Sequence, residues 1–249
     1  MSRLALGLLL AALLVVSLLA SAPARLLSRV LSADRVVMQG FGGTLWHGTA
    51  SRCLVQAGPG YLHLGRVEWR LDPLSLLTLA PRLTVESQWG RQRIAGEIEL
   101  RGDRDFDLAD VEATVSADLV RQFAPLALGG TLNGNFSHVA VRDGLPVAAR
   151  GRLVWQEAAW EAPQGMQSLG TYAVDVDTPG ERMLTGEVLT LSGEVRAEGL
   201  VELQGPAYRV DILLSGEGAL DEQLARALAL VATPEEGNYR LRLEGGFQG

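Results

Sequence analysis

Apolar and polar residues alternate in short runs along most of this chain. Val67, Trp69 and Leu71 alternate with Glu68, Arg70 and Asp72, the period of two that gives a half-buried strand one apolar and one charged face. Ile94, Ile98 and Leu100 alternate with Arg93, Glu97, Glu99 and Arg101, and Val111, Ala113 and Val115 with Asp110, Glu112 and Thr114. Further runs lie at 171–177, 188–191, 195–203 and 208–214, the last with Tyr208, Val210, Ile212 and Leu214 on one face. Glycine, proline and aspartate separate them, at 58–60, 102–105, 178–180 and 205–206. Short strands at such spacing predict an antiparallel, mainly β architecture.

Helical spacing appears in a few places only. Residues 4–24 carry no charge and are long enough to cross about 30 Å of hydrocarbon as a helix. Leu26, Leu27, Val30 and Leu31 suggest a juxtamembrane helix over 25–35. Asp72-Pro73 reads as an N-cap with proline at N1, opening a short helix over 74–79. Ser116 to Asp118 cap a short helix over 119–123, ended by Pro125. Leu220, Leu224, Leu228 and Val231 share one face of a helix over 219–232, with Asp221 and Glu222 in its first turn and Pro234 beyond its end.

The predicted fold is therefore mainly β: an N-terminal transmembrane helix, then an antiparallel, curved sheet or sandwich-like domain with a few short helices. The divisions are 1–25 (anchor), 26–39 (linker) and 40–249 (β-domain). GGTLWHG at 42–48, read as a strand bracketed by glycines, is echoed by GGTLNG at 129–134. GRVEW at 65–69 is echoed by GRLVW at 151–155. Two echoes in the same order suggest two related halves, 40–125 and 126–249.

Together, GTLWHG, the VEWRL strand and the DPLSLL helix resemble the N-terminal signature of the type II secretion system protein N family. The residues concerned are Gly43, Thr44, Leu45, Trp46, Gly48, Trp69, Asp72 and Pro73. The family's closing pattern, a helix followed by a glycine-led strand, is matched by Gly237, Tyr239 and Leu241. The resemblance implies a bitopic inner-membrane protein with a periplasmic domain. Its implied role is an accessory, structural part of the machine that exports folded periplasmic proteins across the outer membrane. The implied partners are other inner-membrane subunits of the secretion platform; no catalytic, cofactor or metal site is implied.

Charge alone does not orient the anchor. Arg3 lies on one side of it and Arg25, Arg29 and Arg35 on the other, a count that by itself favours a cytoplasmic domain. The periplasmic placement comes from the resemblance. A cleaved signal peptide is the alternative to an anchor, with Ala20-Ser21-Ala22 as its small-residue site.

Composition removes other function classes. The net charge is −7 and the 22 basic residues, all arginine, form no cluster, which argues against nucleic-acid binding. One cysteine, Cys53, excludes an intramolecular disulfide and any multi-cysteine metal site. His47, His63 and His138 lie far apart in sequence and read as strand residues. Glu97/Glu99 and Asp175/Asp177 stand two apart, the spacing of an acid–base pair, and equally of the outer face of a sheet. No nucleophile elbow, P-loop or dinucleotide fingerprint is present, so an enzyme is the least favoured reading. Trp46, Trp69 and Trp155 read as core. Trp89 and Trp160, beside polar residues, are candidates for a partner surface.

One alternative function stays open at this level. Amphipathic strands also build the apolar groove of AsmA-like envelope lipid-handling proteins. The two readings separate on whether Val67, Trp69 and Leu71, and Tyr208 to Leu214, are covered by protein.

Overall fold

The computed structural model describes residues 3–30, 36–57, 60–102, 104–122, 127–162, 165–180, 182–216, 222–229, 232–235 and 237–246. Expectations for residues 31–35, the turn at 58–59, Asp103, Phe123, Pro125, residues 219–221 and Val231 fall outside them. The chain divides into two compact units, 1–90 and 91–249.

In the first unit, α1 (Arg3–Ala20) leads through a 3-10 turn (Ala24–Leu26) into α2 (Leu27–Val30). Four antiparallel strands follow: β1 (Val36–Gly43), β2 (His47–Ala57), β3 (Gly60–Leu71) and β4 (Arg82–Trp89), lying side by side in chain order. A 3-10 helix (Pro73–Thr78) joins β3 to β4. The alternation in β3 has the expected consequence. Val67, Trp69 and Leu71 are buried, while Arg66, Glu68 and Arg70 face solvent.

The apolar N-terminal segment is helical for eighteen residues, about 27 Å at 1.5 Å per residue. Among the described residues, no helix is long and apolar enough to cross a membrane. α1 stops before the uncharged run does, because residues 22–24 are drawn onto the sheet: Ala22 and Ala24 are buried and Pro23 bridges Thr44.

The second unit is also one antiparallel sheet. Its strands are β5 (Gln92–Leu100), β6 (Phe106–Ser116), β7 (Leu128–Arg142), β8 (Leu145–Ala162), β9 (Gly165–Gly180), β10 (Met183–Ser192), β11 (Val195–Gln204), β12 (Ala207–Gly216), β13 (Thr233–Glu235) and β14 (Asn238–Gly246). β5 to β12 pair in chain order; β14 then pairs β12, and β13 pairs β14. A 3-10 helix (Ala117–Gln122) follows β6, and α3 (Glu222–Leu228) follows β12. Ala158, Tyr172, Val188 and Ala197 form its buried centre, with Trp155, Val174, Val201, Ile212 and Leu214 packed against them. Within each unit the described strands belong to one sheet, so the architecture is a meander rather than a face-to-face sandwich.

Three local expectations are corrected. GTLWHG is not a strand: β1 ends at Gly43, residues 44–46 turn, and β2 starts at His47. Gly43 has φ +79°, and a Cβ there would collide with the His47 carbonyl, so the chain must turn on a glycine. Its echo at 129–134 lies inside β7 instead, so the two runs are not structurally equivalent. Pro234 does more than follow a helix: it sits in β13, a three-residue edge strand that needs no outward donor.

The charged face of the second unit is laced across strands. Arg152 and Asp175 face each other on β8 and β9, with Arg152 Nη2 2.6 Å from Asp175 Oδ2. On β6, Asp107 is held between Arg142, 2.6 Å away, and Arg101. Partial burial pushes the Asp107 carboxyl up, but hydrogen bonds and charge from the two arginines outweigh it and hold it below the usual carboxylate range. A depressed carboxylate stabilises the fold above its unfolded pKa, near 4, and that contribution is lost as pH falls through the folded value. Asp107→Asn is therefore expected to cost about 1 kcal/mol at neutral pH, after solvent screening. The gap from the parent should close below about pH 4, which urea midpoints measured across pH would check.

Candidate functional site

The family-like residues of the first unit meet at one end of its sheet, around the C-terminus of α1. The β1–β2 turn is closed by Thr44 N–H donating to the His47 carbonyl (2.8 Å) and His47 N–H donating to Thr44 Oγ1 (3.1 Å). The turn then reaches across to the helix. Leu45 N–H donates to the Ala22 carbonyl (2.8 Å), and Trp46 Nε1–H donates to the Leu19 carbonyl (2.8 Å). Carbonyls at a helix C-terminus have no partner within the helix, and this turn supplies partners at and just past the end of α1.

Trp69 holds the turn from below. Its Nε1–H donates to the Leu45 carbonyl (3.0 Å), and its ring is buried with Ala24 and Ala50 against Leu27, Met38, Phe41 and Val85. Gly48 lies flat against the indole. A Cβ there would stand 2.6 Å from Trp69 Cε2 and 2.7 Å from the Thr44 carbonyl, so a side chain would displace either the ring or the turn. Leu71 N–H, at the end of β3, donates to the Trp46 carbonyl (2.8 Å), tying the β3–β4 connection to the same collar.

That connection is built as its sequence predicts, but tighter. Asp72 Oδ1 accepts from Leu74 N–H (3.0 Å) with Pro73 in the first turn, and the helix is 3-10 rather than α. Ser75 Oγ donates to the Asp72 carbonyl (2.6 Å) and accepts from Arg82 N–H (2.8 Å), locking the loop's two ends together. Leu79 closes it in the left-handed region, φ 56°.

The structure thus brings Gly43, Thr44, Leu45, Trp46, Gly48 and Trp69 into one collar, with Asp72 and Pro73 beside it. Gly237, Tyr239 and Leu241 belong to the second unit. Gly237 turns the chain into β14, where Tyr239 pairs with Leu214 and Leu241 with Ile212. Trp89, at the end of β4, is 52% exposed and rests on His63 at 4.2 Å between ring centroids. Trp160 is half-buried in β8, with its Nε1 enclosed and lacking a hydrogen-bond partner. Leu19, Ala22, Pro23 and Ala24 are participants that sequence reasoning missed. The available signal was a proline between two alanines directly after an apolar run.

The acid–base candidates resolve as ion-pair partners of arginine, the two aspartates across strands and Glu99 within the end of β5. Asp175 pairs with Arg152, Asp177 with Arg150 (3.3 Å) and Glu99 with Arg101 (2.8 Å). Arg152 and Arg150 hold the two aspartates below the usual carboxylate range, with a backbone hydrogen bond at Thr178 the leading cause for Asp177. His47, His63 and His138 sit on β2, β3 and β7. Among the described residues, no three histidine, cysteine or carboxylate side chains gather as a metal site. Cys53 is buried in β2, and burial pushes its thiol up to about 11.

Residues 34–242 match the model of the family described as type II secretion system (T2SS), protein N. The type II secretion system protein N of Klebsiella pneumoniae is 29% identical over 242 residues, covering 89% of this chain and 92% of that protein. No solved structure matches. The family match covers the β1–β2 turn, Trp69, the β3–β4 connection and Gly237 to Leu241, most of the chain, and on that extent the chain belongs to the type II secretion system protein N family.

Proposed function

We propose that this chain is an accessory, non-catalytic component of type II secretion, anchored in the inner membrane by a single N-terminal segment (1–25). A linker at 26–39 joins it to a periplasmic β-domain (40–249). It contributes to export of folded proteins through contacts with other inner-membrane subunits of the platform. The anchor confines the domain to the membrane surface, which raises its effective concentration for membrane-bound partners. Trp89 in the first unit and Trp160 in the second are each proposed as a partner-contact residue.

The observation that carries this reading is the collar. A cut after Ala22 would remove the Leu19 carbonyl that accepts from Trp46 and would break the chain at the residue bonded to Leu45. A domain built around the helix end favours a retained anchor over a discarded signal. The lipid-groove alternative is not favoured by the family; Val67, Trp69 and Leu71 are each covered to above nine-tenths, whereas Tyr208, Val210, Ile212 and Leu214 are only partly buried.

The test is crosslinking in native membranes followed by mass spectrometry of proteins and lipids. The chain has no lysine, so photoactivated or carboxylate-directed chemistry is required. Secretion-platform subunits should be enriched, and lost when residues 1–25 are exchanged for a cleavable signal. Bound phospholipid without such subunits would sink the reading, and an intact mass beginning near Pro23 would remove the anchor from it.

A further inference from the structure

The β3–β4 connection holds large apolar side chains out into solvent. Leu74, Leu77 and Leu79 are 71%, 82% and 88% exposed. Between Asp72 and Arg82 there is no charge. The loop is framed by the Asp72 cap, the two Ser75 hydroxyl bonds and the Thr78 hydroxyl on the Ser75 carbonyl (2.8 Å). Its leucines are therefore displayed by a built scaffold. Burying such side chains is favourable relative to leaving them in water, so three displayed together imply a partner.

The location says which partner. Leu71 N–H is bonded to the Trp46 carbonyl and Trp46 Nε1–H to the Leu19 carbonyl, so the loop and the end of α1 share one collar. The helix is itself apolar outward: Leu10, Leu13, Leu14, Val15 and Leu18 are each more than half exposed. Exposed Arg25, Arg70 and Arg82 flank the two apolar surfaces, where anionic headgroups would meet them. At about 27 Å, α1 is also short of the usual hydrocarbon thickness, a mismatch that draws its flanking structure and the bilayer together.

We propose that the 74–79 loop is a second, interfacial membrane contact, setting Leu74, Leu77 and Leu79 into the headgroup–acyl boundary beside the embedded helix. The proposal rests on the anchored reading of α1. With two points of attachment the domain is fixed in tilt and in rotation about the helix axis, whereas a single helix leaves it free to swivel.

The test uses the full-length chain in vesicles of phosphatidylethanolamine and phosphatidylglycerol. In a Cys53→Ala background, a polarity-sensitive fluorophore is placed singly at Leu13→Cys, Leu77→Cys or Gln88→Cys. Quenching is read with chain-brominated lipid and with aqueous iodide, and circular dichroism confirms folding. The expected result is lipid quenching and loss of iodide quenching at positions 13 and 77, with position 88, at the far end of β4, open to iodide. Position 13 in lipid with position 77 in water overturns the second contact and leaves the anchor standing. Position 13 in water overturns the anchored reading, and the loop proposal falls with it. Position 77 open in vesicles but shielded in native membranes assigns the loop to a protein partner and also overturns the proposal.

Discussion

Trp69→Ala is expected to destabilise the first unit by about 3–5 kcal/mol, the usual cost of emptying a buried tryptophan site. The residue is 4% exposed and touches every part of the collar: Gly48 beneath the turn, Ala24 after the helix, and Leu45 through its indole hydrogen bond. Native-state hydrogen exchange on the full chain is the suitable measurement. Amides of β2 and β3 that open with the unit should exchange faster by between about a hundredfold and a few thousandfold, at tenfold per 1.4 kcal/mol. Those of β8 to β11 should not change. Trp69→Phe keeps most of the ring and loses the Nε1–H bond, for about 1 kcal/mol plus the loss from a smaller ring. Equal effects of the two substitutions, or a change under about 1 kcal/mol for alanine, would remove Trp69 from its place as the pin of the collar.

Tyr172→Ala should do comparable damage to the second unit, about 3–5 kcal/mol. Its ring is 8% exposed in the buried centre beside Trp155, and its hydroxyl donates to the Val195 carbonyl at 2.8 Å, with the Leu169 carbonyl at 3.0 Å. Tyr172→Phe keeps the ring but leaves a buried carbonyl short of its donor, for about 1–2 kcal/mol. Burial pushes the phenol up to about 12. A raised pKa means that the folded state holds the proton more tightly. The stabilisation is complete below the unfolded value near 10 and is lost as pH climbs towards 12. Urea unfolding followed by near-ultraviolet circular dichroism should show the Tyr-to-Phe difference persisting from neutral pH to about 10 and shrinking above it.

The strands were legible because their cause is local. Val67, Trp69 and Leu71 need only a period of two to declare a buried face, and β3 obeys it. At β6, β9 and β12 strands form where the alternation lies, but their alternating apolar residues, Tyr172 apart, are only partly buried. Asp72-Pro73 was legible as a helix start because cap and proline act within two residues. What could not be read was the collar. GTLWHG looks like a strand because threonine, leucine and tryptophan favour strands. Its turn is set by Gly43 and by partners at Leu19 and Ala22, more than twenty residues away. The helix seen at 222–228 covers part of the 219–232 pattern, and Pro234 was read as a stop when it pairs with Tyr239. The arginine partners of Asp175 and Asp177 were likewise invisible, since register sets cross-strand pairs and sequence distance does not.

The strand order of the second unit bears on how the chain acquires its structure. From β5 to β12, each strand pairs with the one made just before it. Every closure is therefore between strands adjacent in sequence, and contacts stay local, the condition for rapid folding. A chain delivered N-terminus first can add strands one at a time as they emerge, with a single unsatisfied edge advancing along the sheet. The exception comes last: β13 has no partner until β14 arrives between it and β12. β14 thus leaves at the edge a three-residue strand carrying Pro234, a poor template for any further strand. Among the described strands, the pairing order leaves the poorest template for extension at the open edge.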